Sequence, residues 1–419
     1  MIGRTYLPSD SETAATYFRQ VLAFVRNWPD RQLEVSTHIN LGLVHAAAGE
    51  YAPAEDELRR AEALAAQSGY QELQGSIHLN LGTMALYQGN FVEGEKQYQA
   101  ALAAYQRSGD RARISLGYLG QAVIATDRGS FRDARQHLRL ALELCRETGA
   151  RDREVETQLW LGDVLRVLGD YAGAHRELLA AQDLASELAL PVQRLEAHAR
   201  LAFLAAEVGD FAQAQTELEQ AEAFLPEKQP LEQARWRHLS RSRLYHYRGE
   251  LAAAEDAARQ ALALVQGRNP RLMPDCTVRL AHVLADREMW QEAQLLYRET
   301  ERLRREQHQV HLALEALAGL AQTAQAIGDL GAAADSIGSV LRYLDVHEVD
   351  TAGHGQQEPF RFFLSCYEVL KQRDDPRAEP LLQRAYELLQ QRAASLDPVW
   401  RGTFLDNVRT HRAIIKAVT

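Results

Sequence analysis

One position of a 40-residue sequence repeat carries a histidine four times, at His38, His78, His198 and His238. Imidazole rings at a fixed spacing suggest a metal site or a proton relay. Each repeat supplies only one ring, however, and neighbouring helical repeats pack roughly 10 Å apart, which is too far for shared ligation. Because Tyr118 occupies the same position in another repeat, the pattern favours a half-buried ring that packs within the protein.

A second group of possible metal ligands lies in the polar segment 345–358: His347, Glu348, Asp350 and His354. These side chains could bind a metal, but carboxylates in a segment with two glycines also serve to keep a loop solvated. The sequence contains no H-E-x2-H motif, no zinc-type cysteine–histidine spacing and no phosphate-binding loop. We therefore predict no metal site, no cofactor and no catalytic residue, and the chain is not expected to be an enzyme.

The segment 231–248 (LEQARWRHLSRSRLYHYR) combines five arginines with three aromatic residues in a chain of net charge −10. Arginine binds carboxylates and phosphates through paired hydrogen bonds, and arginine and aromatic residues are enriched at binding hot spots. One hypothesis is a site for an acidic peptide or an anionic ligand centred on Trp236, Arg243 and Tyr247. The alternative is that the arginines are solvated and pair with Glu196, Glu207 and Glu232, while the aromatic rings pack between repeats.

These residues sit in an array of repeats, each marked by a glycine in a similar phrase such as GEYAPA or GDYAGA. The turn glycines are Gly49, Gly89, Gly129, Gly169, Gly209, Gly249 and Gly328, with a one-residue slip at Glu288. Apolar residues between the turns recur three or four apart, which is typical of helices, and no alternating strand pattern occurs. The sequence predicts an all-α fold, an α-solenoid of antiparallel helix pairs with about nine hairpins and additional terminal helices.

The repeat resembles the tetratricopeptide repeat (TPR). The matching residues in one unit are Leu41-Gly42, Gly49, Tyr51, Ala54, Leu58 and Ala61, and those in another are Leu161-Gly162, Gly169, Tyr171, Ala174, Leu178 and Ala181. The units are longer than the family minimum of about 34 residues. The ending 401–414 (RGTFLDNVRTHRAI) is similar to that of TPR regions in bacterial STAND-type signalling ATPases and MalT-like transcription regulators.

In TPR arrays the first helix of each pair lines a concave surface, and the resemblance implies the same arrangement here. Carried over by position, the candidate binding residues on this surface are Asp163, Arg166, Phe203, Glu207, Trp236, Arg243, His246 and Tyr247.

Four regions are expected from the repeat pattern. Residues 1–30 hold an unpaired helix at about 11–27, which resembles the second half of a repeat, so the chain is expected to be a fragment or to have lost a preceding partner helix. Residues 31–350 hold eight repeats, 351–395 hold a degenerate ninth repeat after the polar loop, and 396–419 form one capping helix. The apolar residues of that helix, Trp400, Phe404, Val408 and Ile414, are expected to cover the end of the stack.

Composition restricts the partners. A chain with pI about 5.8 is a poor nucleic-acid binder, and no apolar run is long enough to span a membrane. With no secretion signal and three widely spaced cysteines, a reducing, cytoplasmic location is expected. Two functions remain open: a non-catalytic module that binds a protein or peptide, or the sensor of a small effector in a larger bacterial signalling ATPase or transcription activator. The N-terminal half repeat is a candidate surface for oligomerisation.

Overall fold

A computed structural model describes residues 11–27, 30–223, 231–346 and 357–419. Within these ranges the protein has 21 α-helices and no β-strand. The predicted all-α fold of the α-solenoid class is therefore confirmed. Contacts divide the chain into two compact units. Unit 1 comprises 1–127, 133–157 and 267–271, and unit 2 comprises 128–132, 158–266 and 272–419.

Nine helix pairs follow the N-terminal helix α1 (Ser11–Asn27). The pairs are α2 (Arg31–Ala47) and α3 (Tyr51–Ser68); α4 (Gln71–Tyr87) and α5 (Phe91–Ser108); α6 (Arg111–Asp127) and α7 (Phe131–Thr148); α8 (Arg151–Val167) and α9 (Tyr171–Glu187); α10 (Pro191–Glu207) and α11 (Phe211–Ala223); α12 (Leu231–Arg248) and α13 (Leu251–Val265); α14 (Met273–Asp286) and α15 (Trp290–Glu306); α16 (Val310–Ala326) and α17 (Leu330–Val346); α18 (Pro359–Lys371) and α19 (Ala378–Ala394). Two short helices complete the chain, α20 (Pro398–Asp406) and α21 (Arg409–Val418).

The turn inside each of the first eight pairs has one residue in the left-handed region. The seven turn glycines have φ between 76° and 83°, as their sequence position predicts, because glycine lacks the Cβ that makes this conformation costly. At the one-residue slip in the repeat, Glu288 takes this place with φ 60°. The slip therefore keeps the turn geometry and loses only the residue type that suits it.

Close packing within a pair depends on a small residue in the first helix. A Cβ at Gly162 would lie 2.6 Å from Cγ of Leu178, and one at Gly42 would lie 2.9 Å from Cγ of Leu58. In unit 1 the ring of Tyr98 lies between two such positions, because a Cβ at Gly82 or at Gly120 would come within 2.8 Å of it. These contacts explain why glycine or alanine recurs at this position.

The C-terminal segment differs from the prediction. Instead of one capping helix it forms α20 and α21, separated by Asn407 and Val408. Helix α21 packs on α18 and α19, but α20 contacts the turns after α8 and α10. The Thr403 hydroxyl donates to the Val208 carbonyl (2.8 Å), and the Asn407 amide donates to the Gly209 carbonyl (2.8 Å).

The expected polar loop falls outside the described residues between Val346 and Gln357. Its possible ligands His347, Glu348, Asp350 and His354 therefore have no structural description. The four regions expected from the repeat pattern stay predictions, since the two compact units follow contacts and not repeat boundaries.

Candidate functional site

The repeated histidines bond to the second helix of their own hairpin. Nδ1 of His38 lies 2.6 Å from Oε2 of Glu57, and Nδ1 of His198 lies 2.8 Å from Oε2 of Glu217. His78 makes the same contact with Gln97 at 2.7 Å, and Tyr118 stacks on His137 with ring centroids 6.0 Å apart. The partner is always 19 residues further along. These pairs favour the structural interpretation of the histidine pattern.

His238 is the exception that explains the rule. The position 19 residues later is Ala257, so no carboxylate or amide is available there. Burial, together with the neighbouring charge of Arg237, lowers the pKa of His238 to about 4. Across the residues that the structure describes, no group of three or more histidine, cysteine or acidic side chains is placed to hold a metal ion.

The eight candidate binding residues lie on α8, α10 and α12, all in unit 2, and we call them the first-helix site. At its centre one carboxylate bridges two arginines: Oε2 of Glu207 lies 2.8 Å from Nη1 of Arg166 and 3.0 Å from Nη1 of Arg243. Burial alone would raise the pKa of Glu207, but the two guanidinium charges outweigh it and lower the pKa below its usual value. Glu207 is therefore ionised and holds the first helices of successive repeats together.

The ring of Phe203 lies against both of these arginines. The guanidinium carbon of Arg243 is 3.9 Å from the ring centroid, and that of Arg166 is 4.8 Å away. Such contacts favour a cation that has lost its water, and the Arg243 side chain is fully buried. Trp236 packs edge-on against Phe203 with centroids 5.4 Å apart and belongs to the same buried cluster.

Arg200 connects Asp163 and Trp236 at the edge of this site. Its Nη1 lies 2.6 Å from Oδ2 of Asp163, its Nη2 lies 2.5 Å from Oε1 of Glu196, and its guanidinium carbon is 4.9 Å from the Trp236 ring. Asp163 also lies 3.7 Å from Nε of Arg166. The sequence analysis did not select Arg200, although it follows Glu196 by one helical turn.

A short extended segment of the chain itself, Gln357–Glu358, binds on the other side of Arg243. Nη2 of Arg243 donates to the Gln357 carbonyl at 3.1 Å and lies 3.8 Å from Oε1 of Glu358. The Glu358 carboxylate pairs with Arg279 of α14. Glu315 of α16 accepts hydrogen bonds from both backbone N–H groups of the segment, at 2.9 and 3.0 Å. Main-chain and side-chain groups of the segment are therefore both satisfied by helix side chains.

These contacts fix the charge of the buried groups. Burial would raise the pKa of Glu358, but Arg279 and the other cations around it lower the pKa well below its usual value. Burial and the charges of Arg243 and Arg361 lower the pKa of Arg279, even though Glu358 opposes them. The site is thus built from cations that need a carboxylate beside them.

His246 and Tyr247 lie next to this segment. Because arginine only donates, the contact of Arg279 with Nδ1 of His246 makes that nitrogen the acceptor, and Nε2–H then donates to Asp286 at 2.8 Å. Burial and the Arg279 charge lower the pKa of His246 to about 4, which agrees with a neutral ring. The Tyr247 ring is 5.8 Å from the Arg243 guanidinium carbon, and burial raises the pKa of its hydroxyl.

Arg392 links the network to the C-terminal helices. Its Nη1 donates to the Tyr171 hydroxyl at 2.8 Å, and that hydroxyl lies 3.3 Å from Oε1 of Glu207. Burial raises the pKa of Tyr171 to about 12, so the hydroxyl stays protonated and donates to Glu207. The Nε atoms of Arg243, Arg279 and Arg392 are buried and have no hydrogen-bond partner within the described residues.

The structure therefore brings all eight predicted residues into one continuous set of contacts. The pairs Arg243–Glu207 and Arg235–Glu232 of the alternative interpretation are also present, the latter at 3.0 Å, but the arginines are buried and not solvated. Sequence reasoning missed Arg279, Glu315, Glu358 and Arg392. No local pattern marks them, since Glu358 is 79 residues from Arg279 and Arg392 is 221 residues from Tyr171.

The fold and these inward-facing first helices define the class of protein, an array of TPR-type helix pairs. Residues 70–235 match the family model described as the MalT-like TPR region. The chain thus contains a MalT-like TPR region, and the resemblance inferred from the sequence is confirmed. No curated protein sequence is significantly similar to the chain.

Solved structures resemble the chain in fold alone. The apo form of RapI aligns with a TM-score of 0.51 and 12% identity, over 62% of this chain and 92% of that protein. A STAND-class signal transduction ATPase with a TPR sensor, from Pyrococcus horikoshii, aligns with a TM-score of 0.44 and 14% identity. That alignment covers 95% of this chain and 56% of the ATPase. Within the described residues, no helix is both long and apolar enough to cross a membrane.

Proposed function

We propose that the chain is a non-catalytic interaction module that binds a protein or peptide partner on the concave, first-helix surface of its repeats. The observation that carries the proposal is the binding of Gln357–Glu358 by side chains of α12, α14 and α16. Helix side chains there hold an acidic residue and its extended backbone together, which is the way a repeat surface recognises a peptide. An acidic residue in an extended segment is therefore the proposed recognition element.

Two features support a role without chemistry of its own. All three cysteines are buried, and burial raises the pKa of the Cys145, Cys276 and Cys366 thiols. A thiolate nucleophile is consequently disfavoured at each of them. The histidines that titrate abnormally, His238 and His246, pack against arginines, and His246 bonds to a carboxylate that is itself paired with Arg361. Neither has a nucleophile beside it in the described contacts.

The internal segment makes the proposal testable, because an external acidic residue has to replace Glu358. In Glu358→Gln the side chain keeps its size but loses the charge that Arg279 and Arg243 hold. We expect a fluorescent peptide with the sequence Gln-Glu-Pro-Phe-Arg-Phe to bind this variant about tenfold more tightly than wild type, by fluorescence anisotropy. The same peptide with glutamine in place of glutamate should bind at least about tenfold more weakly.

The matched control is Glu368→Gln on the same helix. Glu368 hydrogen-bonds to Gln322 and not to Arg243 or Arg279, so its replacement should leave peptide binding at the wild-type level. Equal binding of the glutamate and glutamine peptides to Glu358→Gln would contradict recognition of an acidic side chain. Direct truncation of Arg243 is a poor test, because the loss of a fully buried cation changes stability as well as binding.

The match to the MalT-like region favours a second candidate, in which the array senses a small effector for a larger signalling ATPase or transcription activator. Such a sensor would be stabilised by its effector and not by a peptide. Thermal-shift screening of anionic metabolites distinguishes the two. A metabolite that raises the melting temperature of wild type and of Glu368→Gln, but not of Glu207→Gln, would favour the sensor.

A further inference from the structure

Helix α1 has one apolar side that packs on the array and another that faces solvent. Ala14, Ala15 and Val25 are buried, and the first two pack on Leu41 and Val44 of α2. On the other side Tyr17 is 64% exposed and Phe24 is 62% exposed, while Phe18 and Val21 are half-buried. We call Tyr17, Phe18, Val21 and Phe24 the α1 face. It combines three aromatic rings with a valine on one helix of 17 residues.

The repeat register shows what covers these positions elsewhere in the chain. The residues 40, 80, 120, 160 and 200 positions after Phe18 are all buried, with exposures of 0 to 4%: Leu58, Tyr98, Leu138, Leu178 and Leu218. Where the first helix has glycine, the side chain lies directly over it, since Cβ atoms built at Gly42 and Gly162 would come within 2.9 Å and 2.6 Å of Leu58 and Leu178. Phe18 lacks such a helix within the described residues.

The other positions of the α1 face give the same result. Val21 corresponds to five alanines that are completely buried: Ala61, Ala101, Ala141, Ala181 and Ala221. Tyr17 corresponds to Glu57, Gln97 and Glu217, each of which bonds to a histidine of the first helix. The α1 face is therefore the surface that a first helix covers in the hairpins that follow, with larger apolar side chains in place of the alanine and the polar residue.

We propose that the α1 face binds an amphipathic helix of first-helix type, which lies antiparallel to α1 and places a glycine or alanine opposite Phe18. A second copy of α1 fits less well. It would bring Phe18, Tyr17 and Phe24 against the same bulky side chains, whereas the repeated interface requires a small residue on one side. This proposal is independent of the first-helix site, which lies in unit 2.

The probe is a labelled peptide with the sequence of residues 30–49, the chain's own first helix that contains Gly42. An isolated helix of this length is marginal in water, so binding includes its folding and the affinity will be modest. We expect saturable binding to the full chain by fluorescence anisotropy. The peptide with Gly42→Leu should bind at least about tenfold more weakly, because the added side chain meets Phe18.

The chain variants separate the α1 face from general stickiness. Tyr17→Asp with Phe24→Asp should weaken peptide binding at least about tenfold and leave the melting temperature unchanged, since both side chains are exposed. Leu295→Asp with Val399→Asp, at two other exposed apolar positions, should bind the peptide as wild type does. Equal binding to all three proteins, or no binding to wild type, would overturn the proposal. So would a wild-type dimer in light scattering that the first double variant abolishes, because a second copy would then cover the face.

Discussion

Replacement of Arg243 by methionine would remove a guanidinium that is fully buried and binds three groups. It lies 3.0 Å from the Glu207 carboxylate, 3.1 Å from the Gln357 carbonyl and 3.9 Å from the centre of the Phe203 ring. Methionine keeps most of the length and apolar volume of arginine, so the change leaves little empty space. The expected effect is therefore electrostatic, from a carboxylate and a carbonyl left without this donor.

Removal of one partner from a buried ion pair typically costs about 3–5 kcal/mol. The lower end applies here, because Glu207 keeps Arg166 and Tyr171, and Glu358 keeps Arg279. We expect a loss of about 3 kcal/mol in the free energy of unfolding. At about 2–4 °C per kcal/mol for a unit of this size, the melting temperature should fall by about 6–12 °C.

The assay is urea unfolding followed by far-UV circular dichroism and by tryptophan fluorescence, since repeat arrays need not unfold in one step. Arg241→Met is the matched control on the same helix, because Arg241 pairs with Glu222 at a partly exposed position and should contribute at most about 1 kcal/mol. Combining Arg243→Met with Glu207→Gln should cost less than the sum of the two changes, since they share one contact.

A loss below about 1 kcal/mol for Arg243→Met, equal to that of the control, would refute the reasoning. It would mean that Arg243 is hydrated in solution and that the network around Glu207 does not hold the first helices of unit 2 together. Simple additivity with Glu207→Gln would lead to the same conclusion about this pair.

Two further predictions concern a turn and a buried histidine. Glu288→Gly should raise the free energy of unfolding by about 1 kcal/mol, because the exposed Glu288 has φ 60°, a region that costs non-glycine residues about 1–2 kcal/mol; an unchanged or lower thermal midpoint would contradict this. Burial lowers the pKa of His411 to about 4, so between about pH 6.5 and 4 the unfolded chain binds more protons and stability falls as pH falls. His411→Asn, whose amide can still donate to the Phe404 carbonyl, should make the stability–pH curve shallower in this window; a parallel curve would show that His411 does not carry the effect.

Features that repeat every 40 residues were predictable from sequence because their causes are local. A turn glycine needs only its own backbone geometry, and a small residue in the first helix needs only the second helix 16 residues away, as in Gly42 and Leu58. The histidine positions belong to the same class, since their partners lie 19 residues along in the same hairpin. For this reason the helix pairs and their number could be read from residue type and spacing.

The first-helix site was predictable only in part. Repeat register placed Arg166, Glu207 and Arg243 on successive first helices, and the structure finds them in contact. Register could not show that these arginines are buried, because burial depends on what lies over them. Arg392 and the Gln357–Glu358 segment supply that cover from more than 100 residues away, outside any local pattern.

The C-terminal segment shows the same limit. Its sequence has the apolar spacing of one helix, yet the amide of Asn407 bonds to the Gly209 carbonyl, and the helix ends there. A distant backbone group thus competes with helix continuation at a residue of low helix propensity. The sequence alone determined the repeat, the turns and the helix pairs, whose interactions are short in sequence. Tertiary structure decided which charges are buried, what they bind and where the last helix breaks, because those interactions join segments that only the folded chain brings together.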